Sequence, residues 1–222
     1  GSLGMGISKA KGMAWAKNAN QAGGRVMVMT GDGELQEGQI WESLQTTAHQ
    51  KINNLTVIVD FNKFQSDKTL KHIIDLGDLK AKFEIFGWHT ERCDGHDFVA
   101  LEDVFTRLKQ ITDKPKVLIA DTVKGKGISF MEGPTEWPDE KFLYKWHAGA
   151  PDDDAFEAGY RELSERINNR LQSVGLEALT SEVIETREKN RVKLKDTAEK
   201  VVNAYGEALL ELGSKREDMV VL

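Results

Sequence analysis

The chain has 222 residues, of which 40% are hydrophobic and 30% charged, and its formal net charge is −6. That length predicts one large globular domain with room for a helical appendage. The net negative charge, with basic residues interspersed among acids, argues against nucleic acid as a partner. Cys93 is the single cysteine, and the sequence shows neither a secretory signal nor an apolar run near the roughly 20 residues of a membrane span. We therefore expect a cytoplasmic protein with no membrane partner.

The predicted elements begin with a helix over residues 4–18, in which Met5, Ile7, Met13 and Trp15 are the expected buried members. Four short apolar runs follow, each about one strand–helix–strand unit after the last, and this spacing predicts parallel β-strands. Helical spacing of apolar residues appears between the runs. Because nearly continuous apolar strands need cover on both sides, the predicted fold class is α/β, a parallel sheet with helices on both faces. The strands are predicted over 25–30, 55–61, 88–92 and 116–123, and the intervening helices over 39–50 and 98–111.

The composition changes after Pro151. Residues 152–154 are all aspartates and are candidate N-caps for a charged amphipathic helix over 155–171. The stretch from 180 to 212 is rich in Lys, Arg and Glu, which predicts one or two linker helices. The last residues, 219–222, are typical of a strand that has just begun. We therefore predict three parts: an α/β domain over 1–151, a helical linker over 152–200, and the incomplete start of a second domain over 201–222.

The stretch TGDGELQEGQIWE, residues 30–42, places Gly31 and Gly33 around Asp32 at the end of the first apolar run. Open α/β sheets bind ligands beyond the carboxyl ends of their strands, and a bare backbone at a helix start suits a phosphate group. Asp32 would repel such an anion. A divalent cation between the two removes the conflict, and Mg²⁺ is held in proteins by one or two carboxylates together with phosphate oxygens and water.

A second oxygen ligand is expected at the end of a neighbouring strand. Asn62, in VDFNKFQ, follows the second apolar run about 30 residues after Asp32, and the backbone carbonyl of Phe64 offers a third oxygen. A GDG followed at this distance by Asn resembles the thiamine diphosphate binding motif. A lone GDG is also typical of a tight strand-to-helix turn. The combination predicts thiamine diphosphate and Mg²⁺, or Ca²⁺, as cofactors.

Three further stretches resemble the transketolase family. They are GSLGMGISKAKGMAWA at the start, FGWHTERCDGHD around residue 90, and TVKGKGISFMEGPTEWPDEKFLYKWHAGAPD over 122–152. The stretch AYGEALLELGSKREDMVVL resembles the opening of the family's next domain. The resemblance implies a transfer of a two-carbon ketol unit from a ketose phosphate to an aldose phosphate.

The resemblance also implies roles for individual residues. His147 takes the place of the family's active-site histidine, near the thiazolium and a donor hydroxyl. Asp32, Asn62 and Phe64 are implied as metal ligands. Glu37 matches a glutamate that couples the two active sites of a dimer, although a helix-start glutamate favoured by the helix dipole is an equal interpretation. The implied cofactor contacts are Gly1, Ser2, Leu3, Gly31, Asp32, Gly33, Asn62 and His147.

Family members have a further segment before the GSLG element and a second domain that supplies a glutamate to the cofactor. We therefore expect this sequence to be part of a larger enzyme, inactive in ketol transfer by itself and dependent on a second-domain polypeptide or dimer partner. Two alternatives remain open. One is another thiamine enzyme, such as a 1-deoxyxylulose 5-phosphate synthase or the α part of a 2-oxoacid dehydrogenase. The other is a non-catalytic assembly domain.

Other residues near these motifs have structural interpretations. Cys93 is expected to be a buried packing thiol. His96 and Asp97 follow the third strand and would reach a site there, but a helix-start turn capped by Asp97 is favoured. The aromatic residues Trp137, Tyr144 and Trp146 either shape a substrate channel beside His147 or pack a long loop.

Overall fold

The computed structural model describes residues 2–180 and 201–216. The chain divides into two compact units, Gly1–Leu179 and Thr180–Leu222. The second unit contains one described helix, Val201–Lys215. Residues 181–200 of the predicted linker and the predicted strand start at 219–222 lie outside the described residues, so the three-part division remains a prediction.

The first unit alternates strands and helices. In chain order it contains α1 (Met5–Ala19), β1 (Val26–Gly31), a 3-10 turn (Gly33–Gln36), α2 (Gly38–His49), β2 (Leu55–Phe61), β3 (Phe64–Gln65), β4 (Lys68–Thr69), α3 (Leu70–Ile73), α4 (Leu79–Ile85), β5 (His89–Asp94), α5 (Phe98–Gln110), β6 (Lys116–Asp121) and α6 (Asp153–Ser173). The helix of the second unit is α7. None of the helices in the described ranges combines the length and apolar character needed to cross a membrane.

The main sheet is parallel, as predicted, with strand order β1-β2-β6-β5. The register aligns Gly31 with Asp60 and Asp60 with Ala120, so these three strands end level with one another. The short strands β3 and β4 form a separate antiparallel pair directly after β2. The residues that follow β1 and β2 are therefore brought to one edge of the sheet, where α/β proteins bind ligands.

Helices cover both faces of the sheet, as predicted, but unequally. One face carries the large core, in which α1, α2 and α4 pack on inward side chains such as Val57 and Ile119. On the other face, Val104 and Leu108 of α5 pack against Leu118. That smaller cluster does not extend over β1, where the side chains of residues 27 and 29, both methionine, are 52% and 69% exposed.

The buried face of α1 differs from the prediction. Met13 and Trp15 are 63% and 55% exposed, whereas Ile7, Ala10 and Ala14 form the buried stripe. These three residues are spaced by three and four, which places them on one side of a helix. The prediction is confirmed for Ile7, whereas Met5 is only half-buried and Met13 and Trp15 are exposed. It was wrong for the last two because it followed side-chain size, while the close contact with α2 selects small residues.

The predicted helix caps are confirmed. Asp97 accepts hydrogen bonds from the backbone N–H groups of Val99 and Ala100 at 2.8 and 3.1 Å and so caps α5. Asp152 accepts from Ala155 N–H at 2.8 Å and caps α6. Cys93 packs against the smaller core cluster but is only half-buried, in contrast to the predicted buried thiol.

Candidate functional site

Asp32 lies directly after β1 and is 1% exposed. Its Oδ1 accepts a hydrogen bond from Gly33 N–H at 2.8 Å, and its Oδ2 accepts from Lys63 N–H at 2.5 Å. Its own N–H donates to the backbone oxygen of Asp60 at 3.2 Å. The carboxylate is therefore fixed between the carboxyl ends of the first two strands.

The surroundings of Asp32 disfavour its charge. Burial raises its pKa to about 6, and the nearby Asp60 adds to this, although the two backbone hydrogen bonds and Lys124 act in the opposite direction. An ordinary aspartate would be ionised well below that pH. A cation beside Asp32 would stabilise the charged form, so this carboxylate is a residue that could hold a metal ion.

Asn62 is held in place by its neighbours. Its Nδ2 donates to Asp60 Oδ2 at 3.1 Å, and its Oδ1 accepts from Phe64 N–H at 3.0 Å. The other carboxylate oxygen of Asp60 accepts from the hydroxyl of Thr122, which directly follows β6. Asp60 and Thr122 thus link the ends of β2 and β6 and orient the Asn62 amide.

A cavity of about 350 Å³ collects most of the predicted site residues. Gly1 lies outside the described residues, and Ser2 is exposed and does not line the cavity. Glu37 is also outside the lining; it stands at the N-cap of α2 and makes no side-chain cap hydrogen bond. The predicted residues that line the cavity are Leu3, Gly31, Asp32, Gly33, Asn62, Phe64 and His147.

Gln65, one of the residues that line the cavity, carries an unpaired polar atom. Gln65 Oε1 is buried and has no hydrogen-bond partner among the described residues. A buried carbonyl oxygen left unpaired costs roughly 1–3 kcal/mol, so this atom calls for a donor or a cation. The described ranges contain no group of three or more His, Cys, Asp or Glu side chains placed so that they could hold a metal ion by themselves. The oxygen set of one carboxylate, one amide and one backbone carbonyl fits Mg²⁺, which takes few protein ligands and keeps phosphate oxygens and water.

Lys124 and His147 also line the cavity. Lys124 Nζ lies 3.1 Å from His147 Nδ1, and because the ammonium only donates, Nδ1 accepts and the ring proton of the neutral imidazole resides on Nε2. Burial lowers the pKa of Lys124, while Asp32 and Asp60 counteract that shift. Lys124 was missed in the sequence, although it follows a strand and precedes Gly125 in TVKGKG, and both features are typical of anion sites.

A second cavity of about 730 Å³ adjoins the first and shares Asn62, Lys124 and His147 with it. His96 lines this second cavity, and its Nε2 accepts from Val123 N–H at 2.8 Å. The residue therefore reaches the site, while its neighbour caps α5 as favoured from sequence.

Two of the three aromatic residues near His147 line a cavity and also pack the loop, while the predicted substrate channel stays a prediction. Tyr144 and Trp146 line the larger cavity, whereas Trp137 does not. The Tyr144 hydroxyl also donates to the backbone oxygen of Met131 at 2.7 Å, and Trp146 Nε1 donates to that of Phe130 at 3.1 Å. These residues pack the loop and shape the cavity at once.

Comparison with known proteins gives the chain its family. Residues 1–137 match the family described as transketolase, thiamine diphosphate binding domain. An apulose-4-phosphate transketolase subunit of Phocaeicola vulgatus is 35% identical over 167 residues, which cover 75% of this chain and 56% of that protein. The 6-deoxy-6-sulfo-D-fructose transketolase subunit SqwG of a Clostridium species is 38% identical over 133 residues, 60% of this chain and 48% of that protein. The chain thus spans about half the length of these relatives.

A solved structure supports the fold. Transketolase from Campylobacter jejuni superimposes with a TM-score of 0.58 at 22% identity, covering 82% of this chain and 26% of that one. The parallel sheet, the GDG turn after its first strand and the match over residues 1–137 agree. The chain belongs to the transketolase family, and its first 137 residues correspond to the family's thiamine diphosphate binding domain.

Proposed function

We propose that this chain binds thiamine diphosphate and Mg²⁺ as part of a cytoplasmic transketolase-type enzyme, which transfers a two-carbon ketol unit from a ketose phosphate to an aldose phosphate. The observation that carries the proposal is the buried Asp32 carboxylate, whose pKa is raised to about 6 in a cavity that also holds Asn62 and Lys124. Ionisation of Asp32 without a nearby cation destabilises the folded chain. A bound cation, together with the anionic cofactor, would compensate the buried charge.

In this proposal one group of lining residues binds the metal ion and another binds the diphosphate. Asp32, Asn62 and the carbonyl oxygen of Phe64 would hold Mg²⁺, or Ca²⁺ in its place. The Gly33 backbone and the Lys124 ammonium would face the diphosphate, since a glycine at this position permits close approach and a lysine supplies positive charge. Gln65 lines the same cavity, and its unpaired side-chain oxygen would accept a hydrogen bond from the ligand or its water.

Bound thiamine diphosphate would supply the carbanion chemistry of ketol transfer. The chain's own residues would bind and orient. His147 presents Nε2–H as a donor, because Lys124 occupies Nδ1, and this proton would hold a hydroxyl of the donor sugar. Protonation of Lys124 thereby keeps the imidazole in one tautomer.

The partner in this proposal is a second-domain polypeptide, on the same chain or another. Two of the relatives are named as subunits, which supports a division of the enzyme between polypeptides. Glu37 would couple two active sites in a dimer, and residues 201–222 would begin the second domain. The names of the two relatives refer to different sugars, so the proposal extends to sugar phosphates as a class.

The test is a ketol-transfer assay with a ketose phosphate donor and ribose 5-phosphate, in the presence of thiamine diphosphate and Mg²⁺. The purified chain is assayed alone, then mixed with a second-domain polypeptide of the transketolase family. We expect turnover only after mixing. Turnover by the chain alone would contradict the need for a partner, and cofactor binding without turnover in any mixture would favour an assembly role.

A further inference from the structure

Leu3 lines the smaller cavity from the segment before α1, yet its side chain is 58% exposed. Packing alone therefore does not hold it there. Two hydrogen bonds tie this segment to the turn and helix that follow β1. Gln39 Nε2 donates to the backbone oxygen of Leu3 at 2.6 Å, and Gly4 N–H donates to Glu34 Oε1 at 2.7 Å.

Glu34 connects three elements at once. Its second oxygen accepts from the Thr30 hydroxyl at 2.7 Å, so the carboxylate joins the end of β1 to the start of α1. Glu34 also lies one residue after Gly33, in the turn that begins with the proposed metal ligand. A carboxylate at the N-terminus of the 15-residue helix α1 is favoured by the helix dipole.

Gly4 makes this close approach possible. Its φ is +79°, and a Cβ at this position would lie 2.7 Å from both Glu37 Cβ and Gln39 Nε2. Any other residue would be strained and would push the segment away from α2. The backbone of residues 3 and 4 is thus seated against the GDG turn by geometry as well as by hydrogen bonds.

We propose that Glu34 and Gln39 are positioning residues, a latch that holds Leu3 against the ring portion of thiamine diphosphate. This inference rests on the proposed function and extends it to residues outside the metal set. Leu3 offers only apolar side-chain surface, which suits an aromatic ring system and gives nothing to a diphosphate. The latch therefore affects the affinity for the whole cofactor and leaves the affinity for its diphosphate half unchanged.

Calorimetry with two probes separates these halves. Thiamine diphosphate and inorganic diphosphate are titrated, each with Mg²⁺, into the full chain and its variants. Gln39→Ala should weaken thiamine diphosphate binding roughly 3- to 10-fold, the range of one lost hydrogen bond, and leave inorganic diphosphate within about twofold. Glu34→Ala should have a larger effect in the same direction, since a charged acceptor is lost.

Conservative and matched variants complete the design. Glu34→Gln should recover most of the affinity, because its amide oxygen can accept from Gly4 N–H while the Thr30 hydroxyl turns to accept from its NH₂. Lys11→Ala is the control. Lys11 Nζ donates to Thr46 Oγ1 at 2.8 Å and so links the same two helices at a position that does not line the cavity. It should bind both probes like the wild type.

The outcomes distinguish the two levels of the proposal. A wild-type chain that binds neither probe with Mg²⁺ contradicts the proposed function. If it binds both, and the latch variants weaken both equally or neither, the proposed function stands and the latch is overturned. Circular dichroism verifies folding, and Gln39→Ala carries the test if Glu34→Ala does not fold, since the Gln39 side chain is partly exposed.

Discussion

The sheet has a buried ionisable residue at each end, and the two residues have different surroundings. Lys116, at the start of β6, is 4% exposed, and Asp32, just after β1, is 1% exposed. Lys116 Nζ donates to the backbone oxygens of Asn53 and Ile111, so it closes two loops. Asp32 faces a cavity and has a second carboxylate nearby. The lysine is held by carbonyl oxygens of the fold, whereas the aspartate lines a cavity in which we propose a bound metal ion.

Burial shifts both groups towards their neutral forms. It lowers the pKa of Lys116 and raises that of Asp32 to about 6. The difference lies in the compensation. Both side chains have hydrogen-bond partners inside the fold, but Asp32, which accepts from two backbone N–H groups, also lies beside the second carboxylate of Asp60 and lines a cavity. A buried charge without a full set of protein partners indicates a binding site more strongly than burial alone.

The largest expected effect concerns the pH dependence of stability. In the unfolded chain Asp32 ionises near pH 3.8, and in the folded chain near pH 6. Between these values the folded state holds more protons, so stability falls as pH rises through this window. A shift of this size corresponds to about 3 kcal/mol. Relative to wild type, Asp32→Asn should gain about that much stability between pH 4 and pH 7, measured by urea unfolding without metal.

Two controls accompany that measurement. Asn at position 32 cannot accept the hydrogen bond from Lys63 N–H, which costs stability at every pH. Because this cost does not vary with pH, it cancels when stabilities at two pH values are compared. Asp113→Asn changes a 73% exposed side chain at the opposite end of the sheet, so its stability relative to wild type should not vary with pH in this way. If the difference in stability between Asp32→Asn and wild type does not change with pH, the charge of the buried carboxylate is already compensated within the fold.

The second prediction separates binding from turnover at His147. In the mixed enzyme, His147→Ala should lower kcat/KM for ketose phosphates by about 10²-fold, the lower end for acid–base and donor groups. Calorimetric affinity for thiamine diphosphate should change little, because the imidazole is assigned to the sugar. The control is His49→Ala, at the far end of α2. Unchanged turnover would give His147 a packing role.

The third prediction concerns the other end of the sheet. Lys116→Met keeps the aliphatic stem but leaves the carbonyl oxygens of Asn53 and Ile111 without their donor. We expect a loss of about 1–3 kcal/mol in the free energy of unfolding, measured by urea denaturation at pH 7. Binding of thiamine diphosphate should remain as in wild type. If Lys116→Met stays folded but loses affinity for thiamine diphosphate, the assignment of Lys116 to the fold and of Asp32 to binding is wrong.

The smallest expected effect is at Gln65. Gln65→Met preserves length and removes the unpaired oxygen, which relieves a cost in the free protein and removes an acceptor in the complex. Metal-dependent affinity for thiamine diphosphate should fall roughly 3- to 10-fold, while the melting temperature without ligand rises slightly. Calorimetry and thermal unfolding measure the two. A fall in both would mean that the oxygen has a partner within the fold.

The sequence was sufficient for the sheet. Apolar runs and their spacing predicted all four main strands within a few residues, because buried parallel strands carry a strong periodic signal. The same reasoning was only partly right for α1, where Ile7 is buried as predicted but Ala10 and Ala14, in place of Met13 and Trp15, complete the buried face. The distance between two packed helices decides whether small side chains are buried between them. The spacing of apolar residues along one helix does not predict that distance.

The site was only partly predictable. Asp32 and Asn62 were found because each follows a strand and carries an oxygen ligand. Asp60 and Thr122 were missed, since their importance depends on strand order, which brings β6 beside β2. Lys124 was missed although its place after a strand and before Gly125 was visible in the sequence. Glu34 and Gln39 could not be found from spacing, because their contacts reach back to residues 3 and 4 through the packing of α1 on α2.

The central claim is that Asp32 holds a divalent cation beneath a diphosphate. Its most direct test is calorimetric titration of thiamine diphosphate into the chain with and without Mg²⁺, comparing wild type, Asp32→Ala and the control Asp113→Ala. We predict binding that requires Mg²⁺ in the wild type and control and is largely lost in Asp32→Ala, with a smaller loss in Asn62→Ala, because water replaces a neutral ligand more readily. Wild-type affinity in Asp32→Ala, or binding that is independent of Mg²⁺, would contradict the account.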